Sequence, residues 1–143
     1  MYYFAYGSNM NHREMLRKRC KGARFLGRAY LDSHKFVFDG YSEHWKGAVG
    51  NMVESPSHIV AGGLYEITEV HRDALDVFEG YPKGYDRRLF KVRDDEGRTF
   101  DAWAYLVEPR AVGKPSGSYR RVVTRGAKDC GLPSEYAKKY LEG

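Results

Sequence analysis

The sequence predicts an α+β fold: a small mixed, mostly antiparallel sheet, strongly curved or closed into a barrel, with about six strands and about four flanking helices. Three observations carry this. Period-two apolar patterns crowd the middle of the chain. Helical patterns occur without regular strand–helix alternation, which disfavours a doubly wound parallel sheet. Gly47, Gly50, Gly62 and Gly63 fall inside strand patterns, where they permit the curvature a small closed sheet needs.

The elements follow in order. Tyr2 to Tyr6 read as a first strand, broken by Gly7-Ser8-Asn9. A helix-like run from Asn11 to Arg19 comes next, with Met10, Met15 and Leu16 as its apolar residues. "RFLGRAYL" and "KFVFDG" alternate as two strands; "GAVGNMVES" and "HIVAGGLYEI" give two more, the first rich in glycine and therefore backbone-crowded. Thr68 is placed to cap "EVHRDALDVFEG", whose Val70, Ala74, Val77 and Phe78 form an apolar stripe at helical spacing, and Gly80 ends it. "RRLFKVRDDEGRTFDAWAYLV" is a hairpin around Asp95-Glu96-Gly97. "SGSYRRVVTRGAKDCG" is a serine-capped helix ended by Gly131, and Pro133 opens a last short helix, "PSEYAKKYLE".

Composition narrows the function classes. The 143 residues suit one domain, 1–143, and are 42% hydrophobic and 30% charged. No apolar run approaches the roughly 20 residues of a membrane helix, and no basic region followed by an apolar stretch opens the chain, so a cytoplasmic protein with no membrane partner is expected. Two cysteines, Cys20 and Cys130, make no disulfide framework, and the five histidines show no metal-type spacing. Part of the formal charge of +5 sits in Arg13, Arg17, Lys18, Arg19, Lys21, Arg24 and Arg28. Without interleaved aromatics these read as a solvated helix face and following loop rather than a nucleic-acid platform. Twelve tyrosines are many; each buried hydroxyl needs a partner, so they suggest a core with one polar side, such as a pocket wall.

Two stretches can carry chemistry. A strand turning into a helix at Gly7-Ser8-Asn9 leaves backbone N–H groups unpaired and pointing one way, a ready anion or oxyanion site that Gly7 lets a ligand approach. On the motif alone a Ser or Asn N-cap is the plainer reading, and Ser8 as a nucleophile is weaker still, lacking a GxSxG pattern. In "LDVFEGYPKGY", Glu79 stands at a helix C-terminus, against the dipole at a cost of about 0.3–1 kcal/mol. Asp76 on the same face, Phe78 and Tyr81 would raise its carboxyl further, as suits a general base or acid. The plainer reading is a solvated Glu79 paired with Arg87 or Arg88. Tyr105, Tyr119, Trp45 and Trp103 read as packing residues at a pocket wall.

Taken together these stretches resemble the γ-glutamylcyclotransferase-like family. "YFAYGSNM" resembles its signature loop, and "LDVFEGYPKGY" its L-D-x-x-E-G-x-x-x-x-Y segment with the catalytic glutamate. "WKGAVGNMVESPSHIVAGGLYEI" resembles its middle strands, and "PSGSYRRVVTRGAKDCGLPSEY" is similar to the C-terminal part of the γ-glutamylcyclotransferase branch. The resemblance implies a small barrel-like sheet and a reaction in which the substrate's α-amine attacks its own γ-glutamyl amide. The products are 5-oxoproline and a free amine or amino acid. It implies no metal or organic cofactor, Glu79 as base and then acid, and substrate contacts from Tyr3, Phe4, Ala5, Tyr6, Gly7, Ser8, Asn9 and Tyr119, with Tyr105 lining the pocket. The only partner it implies beyond a small γ-glutamyl substrate is a second copy, since relatives are often homodimers. The alternative is a non-catalytic protein of the same fold that binds small carboxylates. The rim is expected from Tyr41 to Lys46 and from Pro82 to Tyr85.

Overall fold

The computed structural model describes residues 1–142. Five strands close into a barrel in the order β1-β3-β2-β4-β5: β1 (Tyr2–Ala5), β2 (Arg24–Ser42), β3 (Gly47–Glu66), β4 (Asp86–Arg93) and β5 (Thr99–Leu106). All neighbours are antiparallel except β1 and β5, whose parallel pairing seals the barrel. β1 is short and flanked on both edges, so Tyr3, Phe4 and Ala5 are all buried rather than alternating.

The chain has five strands rather than about six, because both predicted breaks fall at one irregularity in the β2–β3 ladder and each pair of expected strands runs on as one. "RFLGRAYL" and "KFVFDG" are one strand, β2, passing through Ser33 at φ 60°. Opposite it, the pairing jumps from Asp32↔Ile59 to His34↔Glu54. β3 therefore carries the extra residues, Pro56 among them, outside the ladder where a missing N–H costs nothing. The inner-strand glycines serve close approach as well as curvature: a Cβ on Gly63 would stand 2.5 Å from Cys130 Sγ.

The segment after β1 is not the single helix expected from Asn11 to Arg19. It is a 3-10 turn, Ser8–Met10, then a π-helical run, Arg13–Arg19, begun by the Asn11 side chain, which accepts the Glu14 N–H at 3.2 Å. Helix α1 (Glu69–Glu79) has the expected Thr68 cap: Thr68 Oγ1 accepts the His71 N–H, and His71 Nδ1 accepts the Thr68 N–H in return. Its expected apolar stripe points the wrong way. Val70 and Val77 are 75% and 83% exposed, and only Leu75 is fully buried. The inward edge instead carries Arg72, Asp76 and Glu79 beside Leu75, because this helix lines a polar site rather than capping a core. Helix α2 (Gly117–Asp129), capped by Ser116, and the short C-terminal helix α3 (Ser134–Tyr136), which runs on as a π-helical turn, pack the remaining flank. Both cysteines are free and buried. No helix among the described residues is long and apolar enough to cross a membrane.

Candidate active site

A cavity of about 740 Å³ opens where the end of β1, the start of β3, the end of α1 and the start of α2 meet. Its floor begins at Gly7-Ser8-Asn9. Ser8 and Asn9 offer no side-chain cap to the turn they start, which sets aside the plain N-cap. Among the described residues, no hydrogen bond uses the backbone N–H of Gly7, Ser8 or Asn9. Instead Asn9 is spent on fixing its surroundings: its Nδ2 donates to Tyr3 Oη at 2.9 Å and its Oδ1 accepts from Arg19 Nη1 at 2.6 Å. Among the described residues Ser8 Oγ has no hydrogen-bonded histidine or acid, as a nucleophile would need.

Glu79 ends α1 on the cavity wall. The turn after it is built by two glycines. Gly80 takes φ 71°, the left-handed cap that closes the helix. Gly84 lies so close that a Cβ would stand 2.6 Å from the Glu79 carbonyl, which itself accepts the Tyr85 N–H at 3.1 Å. Burial pushes the Glu79 carboxyl up to about 7, and the Arg19 cation opposes that rise. Among the described residues no ion pair or hydrogen bond reaches the carboxylate.

The role expected of Asp76 is corrected. Burial is the first cause of the Glu79 shift, and Asp76 is occupied elsewhere: it accepts the Tyr105 hydroxyl at 2.6 Å and pairs with Arg87. Arg87 is thereby taken from Glu79, and Arg88 faces Asp86 and Glu108 instead.

The structure brings Tyr3, Tyr6, Gly7, Ser8 and Asn9 to the cavity, with Glu79, Tyr105 and Tyr119. It does not bring Phe4 and Ala5, whose side chains pack in the core. Much of the tyrosine wall is hydrogen-bonded: Tyr6 Oη donates to the Tyr105 carbonyl at 2.5 Å, and Tyr119 Oη accepts the Gly50 N–H at 2.8 Å. Burial pushes the hydroxyl pKa of Tyr3, Tyr6, Tyr85, Tyr105 and Tyr119, five of the cavity's six tyrosines, above its ordinary value, so they remain neutral at physiological pH. The two segments expected at the rim contribute Tyr41, Trp45, Lys83 and Tyr85 to the cavity lining. Trp103 lies away from it, under Arg72 and Arg87.

Sequence reasoning missed three residues. Arg19 looked like one more solvated cation, yet its side chain is only 11% exposed and its guanidinium lies 3.5 Å from the Phe78 ring centroid. Asp39 and Arg110 form an ion pair at the far side of the wall, with Asp39 1% exposed. A lone acid inside the apolar run "KFVFDG" was a signal for that pair; its partner, in an irregular stretch, gave none.

Comparison with known proteins agrees with this fold. The family described as gamma-glutamyl cyclotransferase, AIG2-like, matches residues 3–121. Mouse gamma-glutamylcyclotransferase is 34% identical over 142 residues, covering 96% of this chain and 75% of the mouse protein. The human protein of the same name is 32% identical over the same coverage. A solved structure named gamma-glutamyl cyclotransferase superposes with a TM-score of 0.92 at 31% identity, covering 100% of this chain and 86% of that one.

Proposed function

Because the chain belongs to the gamma-glutamyl cyclotransferase, AIG2-like family of enzymes, we propose that it converts a γ-glutamyl amide to 5-oxoproline with Glu79 as the proton carrier. The observation that carries this reading is the Glu79 carboxyl: half-buried on the cavity wall, in no ion pair or hydrogen bond among the described residues, raised to about 7, and facing the same cavity as the unpaired N–H groups of the glycine turn.

The chemistry asks for little more than folding the substrate into an attacking shape, because nucleophile and electrophile sit in one molecule. The α-ammonium gives a proton to the Glu79 carboxylate. The freed amine attacks the γ-carbonyl carbon and closes a five-membered ring. Charge moves to the carbonyl oxygen, which an N–H of Gly7 or Ser8 is suited to receive; the other is suited to the substrate's α-carboxylate. The Glu79 carboxyl then returns its proton to the departing nitrogen as the C–N bond breaks, and the second proton shed by the ring nitrogen passes to the freed amine, which leaves as an ammonium. A carboxyl near 7 can do both steps at neutral pH, whereas one near 4.5 would be a poor acid for the second. Tyr3 and Tyr119 support the reading as neutral donors held on the same wall.

The test is release of 5-oxoproline from γ-glutamyl dipeptides by the purified protein and by Glu79→Gln. We expect the variant to lose about 10²- to 10⁴-fold in kcat, the usual worth of a positioned proton carrier. Equal turnover by the two proteins removes Glu79 from this role. Tight ligand binding without turnover by the wild type would favour the non-catalytic carboxylate-binding alternative.

A further inference from the structure

We propose that Arg110 sets the specificity of the site by receiving a carboxylate carried by the leaving group, so that the substrate releases an amino acid or peptide rather than a simple amine or polyamine. The inference rests on the cyclotransferase reading only for which end of the ligand reacts.

The arrangement around Arg110 is built, not incidental. Asp39, fully buried, accepts Arg110 Nε at 3.1 Å and Nη2 at 2.8 Å on Oδ1. Its other oxygen accepts the Arg110 backbone N–H at 3.2 Å and Asn51 Nδ2 at 2.9 Å. Arg110 Nη2 also donates to Tyr85 Oη at 3.2 Å, and that hydroxyl donates on to the Gly50 carbonyl at 2.8 Å. The guanidinium is therefore locked in orientation while its side chain stays 33% exposed on the cavity wall. Among the described residues Nη1 has no partner, which leaves two N–H groups uncommitted.

The contacts run as one line along the wall. A Cβ on Gly7 would stand 3.4 Å from Tyr119 Oη, Tyr119 holds the Gly50 N–H, and Tyr85 holds the Gly50 carbonyl and Arg110. A ligand whose γ-glutamyl end sits in the glycine turn thus extends toward Arg110. The charges lining the cavity point the same way. Among the described residues Glu79 is its one carboxylate, already assigned to the reacting amine, and Lys83 and Arg110 are its strong cations. A carboxylate on the leaving group meets two free N–H donors in a cavity that Lys83 also lines; a second ammonium there meets no acid except Asp39, already paired with Arg110.

The experiment compares γ-glutamylalanine with γ-glutamylethylamine, which differ by that carboxylate. Calorimetric binding is measured on full-length Glu79→Gln protein, which is expected to hold either ligand unreacted. We expect the dipeptide to bind about 10- to 100-fold tighter, the range for a charge-assisted pair. Adding Arg110→Met should bring the ratio to about one, and Arg110→Lys should restore part of it. Since Arg110→Met strands a buried carboxylate, Asp39→Asn with Arg110→Met serves as the folded control and should also give a ratio near one. Equal affinities in the parent protein, no binding of either ligand, or full discrimination kept by the folded double variant would each overturn the assignment. Turnover by the wild type is read separately: discrimination without any 5-oxoproline keeps Arg110 and sinks the cyclotransferase reading.

Discussion

The cavity has two walls, and each treats a carboxylate in the opposite way. On one, Glu79 is half-buried with, among the described residues, no ion pair or hydrogen bond to its oxygens, and burial pushes it to about 7. On the other, Asp39 is more deeply buried yet takes four hydrogen bonds, three from Arg110 and one from Asn51. The contrast teaches that burial alone does not mark a reactive acid. What separates the two is whether the charged form is given donors. An acid fully supplied with donors becomes a fixed mount; one left without them keeps its proton exchangeable near neutral pH.

Breaking the mount should give the largest effect on stability. Asp39→Ala removes all four hydrogen bonds and should lower unfolding stability by about 3 kcal/mol, measured by urea denaturation. A loss under about 1 kcal/mol would mean that the two acids are not so different after all. The opposite sign is expected at Glu79. Its carboxyl binds a proton more tightly folded than unfolded, so its contribution is present below pH 4.5 and is lost as pH rises through about 7. Glu79→Gln should therefore be more stable than wild type at pH 8, by up to about 3 kcal/mol, and equal to it near pH 4. A variant destabilised at pH 8 contradicts the unpaired state of this acid.

Smaller effects sharpen the same contrast. Arg19 is the one cation that lowers Glu79, so Arg19→Gln should move the acidic limb of the kcat/KM profile to higher pH, by about one pH unit or less. A limb that stays in place would show that the two groups do not sense each other. Thr68→Ala removes the cap at the opposite end of α1 and should cost about 1 kcal/mol of stability while leaving that limb where it is.

Much of this was legible in the sequence, for definite reasons. Gly7-Ser8-Asn9 and the segment around Glu79 carry local signals, a strand broken by small residues and an acid at a helix end. The Thr68 cap, the Gly80 stop and the Asp95-Glu96-Gly97 hairpin are equally local, and all three form. The rest depends on distant chain. Asp39 and Arg110 lie 71 residues apart, and no periodicity relates them. Arg19 belongs to a run that looks solvated, and a π-helical winding turns it inward. The apolar stripe of α1 was legible but misleading, since an amphipathic pattern says which residues share a face without saying which face meets the protein.

One turn has a wider consequence. Glu79 and Tyr85 are tied through a single backbone hydrogen bond across the Gly80–Gly84 loop, and Tyr85 in turn braces Arg110. The proton carrier and the support of the far wall are thus geared together. Lengthening that loop by one residue would detune both at once, so drift in this segment cannot trade substrate preference independently of rate.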